Sequence, residues 1–230
     1  MTSNIQNFNQ IRNVDNFEDL VCTPFMGEVN ALCWSRKLNG DFSEIVDNLY
    51  LEENLRVITE DDLNALVLSP EGQMARDILL NDLRLLTQYG ADPVLNLIRN
   101  YERDDPDSVF PTDVYSFHVD RSPVPTDTFL CTYYGDASDI LPNSEAIQKI
   151  LIPEIRVELK KLFDGKEEDF ESFLSENFFD LHYQATAEAQ PINLGLGNLW
   201  RLATDHPESP VLPCVHRAPR ENTSRLLLIC

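Results

Sequence analysis

The chain has little positive charge, and this shortage limits the partners it can bind. Of its 230 residues, 18 are Lys or Arg and 39 are Asp or Glu, which gives a formal net charge of −21. A field of that sign repels phosphate backbones, so we expect neither DNA nor RNA as a partner. A small anionic molecule is not excluded, because a single buried arginine can bind it.

The sequence also lacks long apolar runs and paired cysteines. No stretch of about 18 apolar residues occurs, so no transmembrane helix and no membrane partner are expected. The polar N-terminus, rich in Asn and Gln, has no signal-peptide character, which predicts a cytoplasmic protein. The five cysteines form no C-x-x-C pair. Their odd number and wide spacing predict reduced, mostly buried thiols rather than a disulfide framework or a zinc ribbon.

Glycine motifs that bind nucleotides are missing as well. The chain has eight glycines, and none of them belongs to a P-loop or to a dinucleotide-binding fingerprint. No G-x-S-x-G nucleophile elbow occurs either. Nucleotide binding and serine hydrolase chemistry are therefore poorly supported.

Residues 41–105 have the apolar spacing of helices. Behind Asp41, apolar residues recur at i, i+3, i+4 and i+7, which predicts a capped helix. A second capped start is predicted at Thr59, a long helix over 71–89, and a short helix over 93–101. This part of the chain is predicted to form an N-terminal helical layer. Before it, residues 1–20 are expected to be loosely ordered, and 28–34 to form an edge strand.

From about residue 112 the pattern changes to that of strands. Residues 113–120 alternate between polar and apolar, and 127–134 are rich in aromatic and β-branched residues. A helical insertion is predicted over about 143–179, capped by Ser144. Its predicted apolar stripe is Ile147, Leu151, Ile155, Leu159 and Leu162. Further strands are predicted at 181–186, 198–202, 211–217 and 225–230. Residues 21–230 are thus predicted to form a single α+β domain, with antiparallel sheet structure over about 112–230.

The pair His118 and Asp120 is the main chemical feature of the sequence. On a strand, residues i and i+2 point to the same side, so one imidazole and one carboxylate can face one metal ion. His216 ends another predicted strand and supplies a third ligand. Two histidines and one carboxylate form the facial triad of non-haem iron(II) enzymes. His206 is an alternative third ligand, but it lies in a polar loop, and His182 is expected to be a supporting or core residue.

Arg225 lies nine residues beyond His216, at the start of the last predicted strand. An arginine there can form a bidentate pair with an acidic cosubstrate. Arg217 and Arg220 are alternatives for the same role. Arg217, as the immediate neighbour of His216, is expected to point to the opposite side of the strand.

The order His-x-Asp, then a distant His, then an Arg resembles the iron(II)/2-oxoglutarate-dependent oxygenase superfamily. This resemblance covers residues from about 112 to 230. It implies a double-stranded β-helix, which is a jelly-roll or cupin-like barrel, with Fe(II) bound by His118, Asp120 and His216. It also implies that 2-oxoglutarate binds to Arg225, with Thr132 and Tyr133 on the preceding strand as further candidates. No catalytic residue beyond the metal ligands is implied.

A second resemblance spans most of the chain. The segments FHVD, LCTYYGDASDIL, CVHRAP and RLLLIC are similar to those of a bacterial domain family to which no function is assigned. The early segment NALCWSRKL is similar to its N-terminal region. This resemblance implies a related fold rather than an activity.

The sequence therefore predicts an iron(II)- and 2-oxoglutarate-dependent oxygenase of the hydroxylase type. Its substrate is expected to be a small molecule, such as an amino acid or a related metabolite. Two alternatives stay open at this point. The first is a cupin-like metal enzyme that does not use 2-oxoglutarate, and the second is a non-catalytic metal-binding or metal-handling protein. The oligomeric state and the role of the helical layer are also open.

Overall fold

The computed structural model of the chain describes residues 9–105, 107–220 and 222–230. Residues 1–20 are predicted to be loosely ordered, and residues 1–8 of this segment lie outside the described ranges. For residues 11–20 the prediction is wrong, because Ile11–Val14 forms a strand and Phe17–Cys22 forms a helix. The Asn16 side chain caps this helix by accepting a hydrogen bond of 2.8 Å from the Asp19 amide.

The helices and strands of the described residues alternate along most of the chain. The α-helices are α1 (Phe17–Cys22), α2 (Phe42–Asn48), α3 (Glu60–Ala65), α4 (Pro70–Tyr89), α5 (Pro153–Lys161) and α6 (Phe170–Glu176). The strands are β1 (Ile11–Val14), β2 (Ala31–Trp34), β3 (Leu55–Ile58), β4 (Val94–Ile98), β5 (Phe117–His118), β6 (Asp127–Tyr134), β7 (Asp139–Ile140), β8 (Ala146–Gln148), β9 (His182–Ala185), β10 (Ile192–Asn193), β11 (Leu199–Ala203), β12 (His216–Arg217) and β13 (Arg225–Ile229). Short 3-10 helices lie at Asn143–Glu145, Lys149–Leu151, Glu167–Asp169 and Phe179–Leu181.

Within the described ranges the strands form two sheets. The larger sheet has seven strands in the order β1-β2-β11-β6-β13-β4-β3, and the smaller has six in the order β10-β7-β12-β5-β9-β8. Neighbouring strands are antiparallel except for β1 and β2. The protein therefore has the mixed helix and sheet composition that the sequence predicts.

The N-terminal helices pack on the outer face of the larger sheet. Helix α4 buries Leu79 and Leu86 against alternate residues of β4 and β13, among them Leu95 and Leu228. The predicted caps of this layer are confirmed at Asp41 and Thr59, and the long helix ends, as predicted, at Gly90 in the left-handed conformation. Among the described residues, no helix combines the length and the apolar character that crossing a membrane requires.

A second apolar cluster fills the space between the two sheets. Strands of the larger sheet contribute Leu130, Trp200 and Leu227 to this cluster, and Ile140 joins it from the smaller sheet. Because side chains alternate along a strand, the same inner faces carry the polar residues of the candidate site. The inter-sheet cluster thus forms one wall of the space in which that site lies.

The predicted helix over 93–101 is wrong, because Val94–Ile98 forms β4. This strand pairs with β3 on one side and with β13 on the other. Its five residues, VLNLI, are mostly buried on both faces. A short and largely apolar run of that length suits a central strand as well as a helix segment, and the tertiary pairing decides between them. The segment predicted as an edge strand lies between β1 and β11 instead.

Two α-helices, α5 and α6, lie within the range of the predicted helical insertion, but the predicted apolar stripe is wrong at several positions. The helix begins at Pro153 rather than after Ser144, since residues 146–148 form β8. Leu159 is fully buried, whereas Leu151 and Leu162 are more than half exposed. The strands predicted at 113–120 and 211–217 are longer than those observed. Only the two-residue strands β5 and β12 form there, and an irregular segment precedes each of them.

Candidate metal centre

His118 and His216 face each other across the centre of the smaller sheet. They are direct partners in the antiparallel register of β5 and β12. Residues paired in this way have their side chains on the same face of the sheet. Their ring centroids are 4.6 Å apart. Two imidazoles that are distant in sequence are thus brought together by strand pairing.

Asp120 lies two residues after His118, where the chain has just left β5. One carboxylate oxygen is 3.9 Å from Nε2 of His118, and the other is 3.6 Å from Nε2 of His216. One donor atom from each residue can be chosen so that all three lie within 4.8 Å of one another. A metal ion with bonds of about 2 Å to imidazole nitrogen and carboxylate oxygen fits between such atoms. The structure therefore brings together the three predicted ligands.

Backbone carbonyls set the tautomer of both imidazoles. Nδ1 of His118 lies 2.7 Å from the carbonyl of Ser116, and Nδ1 of His216 lies 3.1 Å from that of Cys214. A carbonyl can only accept, so each Nδ1 carries the proton and each Nε2 has its lone pair available. Metal-binding histidines in proteins are oriented by contacts of this kind. Both rings use the carbonyl two residues earlier, and this shared local geometry aims both Nε2 atoms at Asp120.

Asp120 is held in place by a residue that the sequence analysis did not single out. The Thr128 hydroxyl, on the inner face of β6, donates a hydrogen bond of 2.5 Å to the carboxylate. The backbone carbonyl of Asp120 accepts from the Asp205 amide at 2.8 Å. The next residue, Arg121, forms ion pairs with Asp205 and Asp180. These contacts, together with a parallel β-bridge between Arg121 and Asp205, fix the chain segment that follows β5.

The surroundings favour the protonation states that bind a metal. Burial and, as a second cause, the neighbouring His216 lower the pKa of His118 to about 4, while the Ser116 carbonyl and Asp120 act in the opposite direction. Burial opposes the charge of Asp120, but His216, the Thr128 hydroxyl and His118 outweigh it and hold the pKa below its ordinary value. Near neutral pH, His118 is therefore a neutral imidazole and Asp120 a carboxylate, and these are the forms that act as ligands.

Arg225 and Thr132 also lie together, on the inner face of the larger sheet. The Arg225 guanidinium is almost fully buried. It donates hydrogen bonds to the hydroxyls of Thr132, at 3.0 Å, and Ser138, at 2.8 Å. Thr128 and Thr132 share one face of β6. The hydrogen bond of Thr128 with Asp120 and that of Arg225 with Thr132 therefore both border the same space between the two sheets.

Tyr133 does not lie with these residues. It follows Thr132 on β6, so its side chain is on the opposite face, in the cluster beneath the helical layer. Its hydroxyl donates to Asp82 of α4 at 2.7 Å. As a candidate for binding 2-oxoglutarate it is wrong, because the period-2 alternation of the strand turns it away from the inter-sheet space.

The alternative arginine and histidine lie elsewhere. Arg217 points away from His216, as expected, and pairs with Asp139 at 2.9 Å. His206 lies in a turn, where Nδ1 accepts a hydrogen bond of 3.2 Å from the Glu208 amide. His216 rather than His206 is thus the histidine that stands beside His118 and Asp120.

The sequence analysis identifies the three candidate ligands but not Thr128, the residue that holds Asp120 in place. Thr128 has no motif around it, and its contact with Asp120 depends on how β6 passes the end of β5. Comparisons of the chain with protein-family models, with curated proteins and with solved structures give no match. The resemblances stated from the sequence therefore stay predictions.

Proposed function

We propose that this chain is a non-haem iron(II), 2-oxoglutarate-dependent oxygenase that acts on a small molecule. The observation that carries the proposal is the convergence of two imidazole Nε2 atoms and one carboxylate. Both histidines have Nδ1 fixed by backbone carbonyls, and the carboxylate is held by Thr128. This donor set matches the facial triad of non-haem iron(II) enzymes, which leaves coordination positions open.

The order of the strands supports the proposed jelly-roll barrel. Numbering β4, β5, β6, β7, β10, β11, β12 and β13 from one to eight, the larger sheet contains the order 6-3-8-1 and the smaller the order 5-4-7-2. A long antiparallel hairpin that pairs 1 with 8, 2 with 7, 3 with 6 and 4 with 5 gives this order when it is rolled up. Double-sheet jelly rolls of eight strands are built in this way. In this numbering His118 is on the second strand, His216 on the seventh and Arg225 on the eighth.

Arg225 supports 2-oxoglutarate as the cosubstrate. Its buried guanidinium lies on the inner face of the larger sheet with the hydroxyls of Thr132 and Ser138. A guanidinium and two hydroxyls suit a carboxylate, which can accept several hydrogen bonds at once. Thr128 and Thr132 are separated by four residues, or about 13 Å along β6. A five-carbon dicarboxylate and the long Arg225 side chain together can bridge much of that distance.

Each residue then has a defined part in the reaction. His118, Asp120 and His216 would hold the metal, and Thr128 would orient the carboxylate of Asp120. Arg225 and Thr132 would bind and orient the distal carboxylate of 2-oxoglutarate. When bound, iron(II) with 2-oxoglutarate would activate dioxygen, the oxidant for hydroxylation of a C–H bond, and the oxidative decarboxylation of 2-oxoglutarate to succinate and CO2 would supply the other two electrons. The apolar residues between the sheets would limit access of water to the cosubstrate.

Anaerobic titration with iron(II) and 2-oxoglutarate tests the proposal. Wild-type protein with both additions should develop a visible charge-transfer band, because such a band needs a 2-oxoacid bound to the iron. The band should vanish in His118→Ala, and Arg225→Met should require much more 2-oxoglutarate to produce it. Arg217→Met is the matched control, since that arginine lies on the other face of its strand, and its titration should equal the wild type.

Two results would contradict this proposal. If iron(II) binds but 2-oxoglutarate changes no spectrum, the cosubstrate is wrong, and a cupin-like metal enzyme or a metal-handling protein is the better description. If Arg217→Met weakens 2-oxoglutarate binding as much as Arg225→Met, Arg225 is not the residue that binds it.

A further inference from the structure

The two histidines of the proposed metal site belong to a longer row of side chains across the smaller sheet. His182 of β9 is the direct partner of His118. On the other side of β9, Gln148 of β8 is the partner of Tyr183. The next residue, Lys149, therefore follows at the level of His182. The row that results is Lys149, His182, His118 and His216.

Lys149 is a half-buried cation whose direct contacts in the described part of the chain are with neutral groups. Its ammonium donates to the Ser116 hydroxyl at 2.8 Å and to the Pro111 carbonyl at 3.2 Å. It also lies 4.5 Å from the centre of the Phe110 ring. No carboxylate in the described part of the chain forms an ion pair with it. Burial lowers the pKa of this ammonium, which means that its charge is incompletely compensated and that a bound anion would stabilise it.

His182 supplies a second observation at the same place. Its side chain is 5% exposed, and its Nδ1 atom has no hydrogen-bond partner among the described residues. The ring lies between Phe110, at 6.1 Å, and His118, at 6.0 Å. Buried polar atoms nearly always have a partner. The Nδ1 atom of His182 therefore marks a position for a hydrogen-bonding group of a ligand beside the metal ligands.

Two nearby carboxylates limit the charge that such a ligand can carry. Asp104 accepts hydrogen bonds from the amide and the hydroxyl of Thr112. Asp113 accepts one from the Tyr115 amide at 3.1 Å. Both carboxylates thus fix the loop that precedes β5. Their negative charge acts on Lys149 and opposes a dianion, so the surroundings of Lys149 favour a ligand with a single carboxylate.

We propose that the substrate of the oxygenase carries one carboxylate, which Lys149 binds while Nδ1 of His182 hydrogen-bonds to the same end of the molecule. The identification of this ligand as the substrate rests on the proposed function. Lys149 is two strands away from His118, or about 10 Å across the sheet. A small molecule of about that length reaches from Lys149 to the metal ligands. This carboxylate site is separate from Arg225, which lies on the other sheet.

A titration with acetate and acetamide tests the carboxylate site on the full chain without added metal. The two probes have nearly the same shape, but only acetate carries the charge. We expect acetate to shift the imidazole NMR signals of His182 in a saturable way and acetamide to leave them unchanged. Lys149→Gln should bind acetate at least about tenfold more weakly than the wild type, because it loses a charge-assisted hydrogen bond. Lys149→Arg should retain most of the affinity.

Lys161→Gln is the matched control, since Lys161 is an exposed lysine that pairs with Glu158, and it should bind acetate like the wild type. Equal binding of acetate and acetamide, or an unchanged affinity in a folded Lys149→Gln variant, would overturn the inference. The comparison of acetate with acetamide needs no variant, so it tests the carboxylate site even if Lys149→Gln fails to fold.

Titrating the same samples with iron(II) separates the two proposals. If iron(II) binds and acetate does not, the carboxylate site is wrong and the metal site stands. If acetate binds through Lys149 and iron(II) does not bind, the oxygenase proposal fails, and with it the substrate role of this site.

Discussion

Replacing Asp82 by Asn should destabilise the protein more than almost any other single change of a polar group. The carboxylate is fully buried in α4, and Arg36, whose side chain is 9% exposed, donates to each of its oxygens at 2.8 Å. Tyr133 donates to it at 2.7 Å. An amide can accept only through its oxygen, and its NH2 group would face donors. The substitution therefore leaves the charge of Arg36 buried without its counterion.

Removing one partner of a buried ion pair costs about 3–5 kcal/mol. For a chain of this length, that corresponds to a decrease of about 6–20 °C in the melting temperature. Urea unfolding followed by circular dichroism measures the difference in the free energy of unfolding. Asp77→Asn is the matched control on the same helix, because Asp77 is exposed and its contact with Arg76 is 3.5 Å long. Its effect should stay within about 0.5 kcal/mol.

The paired substitution Arg36→Met with Asp82→Leu should cost less than the sum of the two single changes, because it removes both charges at once. Equal stability of Asp82→Asn and Asp77→Asn would refute this reasoning. It would mean that Arg36 finds another partner or that water reaches the cluster.

Four further substitutions test local features of the fold. Gly135→Ala should destabilise by about 1–3 kcal/mol in urea unfolding, because φ is +85° and the new Cβ would lie 2.7 Å from the Ser224 carbonyl oxygen. Gly90→Ala, also at positive φ but with nothing within 4 Å, should cost less, and the reverse order would contradict the account. Thr59→Ala should cost about 1 kcal/mol, because it removes the capping box of α3. In the same box, the Thr59 amide and hydroxyl hold the pKa of Asp62 below its ordinary value, so the cost of Asp62→Asn should be full near neutral pH and should disappear as the pH falls through about 4 and below. A cost that does not change with pH would show that the charge of Asp62 is not what stabilises the helix start.

His118 and Asp120, two of the three candidate ligands, could be predicted from the sequence because their signal is local. His118 and Asp120 are two residues apart, and a strand places such residues on one side. Arg225 and Thr132 were reached through the resemblance, and the structure brings them together. Tyr133 does not lie in the inter-sheet space although it is the next residue, since successive side chains of a strand lie on opposite faces.

The parts that could not be predicted depend on contacts between distant segments. Thr128 reaches Asp120 only because β6 of one sheet passes the end of β5 of the other. Strand β4 was predicted as a helix, because its short and largely apolar sequence fits either structure until β3 and β13 pair with it. The row from Lys149 to His216 likewise follows from strand order, which no local pattern encodes.

The metal site is the central claim, and direct measurement of binding tests it most simply. Anaerobic calorimetric titration with iron(II) should give one site per chain in the wild type. His118→Ala and His216→Ala should each weaken binding by about a hundredfold or more, since each removes one of three ligands. His206→Ala is the matched control, because His206 lies in a turn apart from the ligands, and it should bind like the wild type. A wild type that binds no iron(II), or a His118→Ala variant that binds it as tightly as the wild type, would contradict the account.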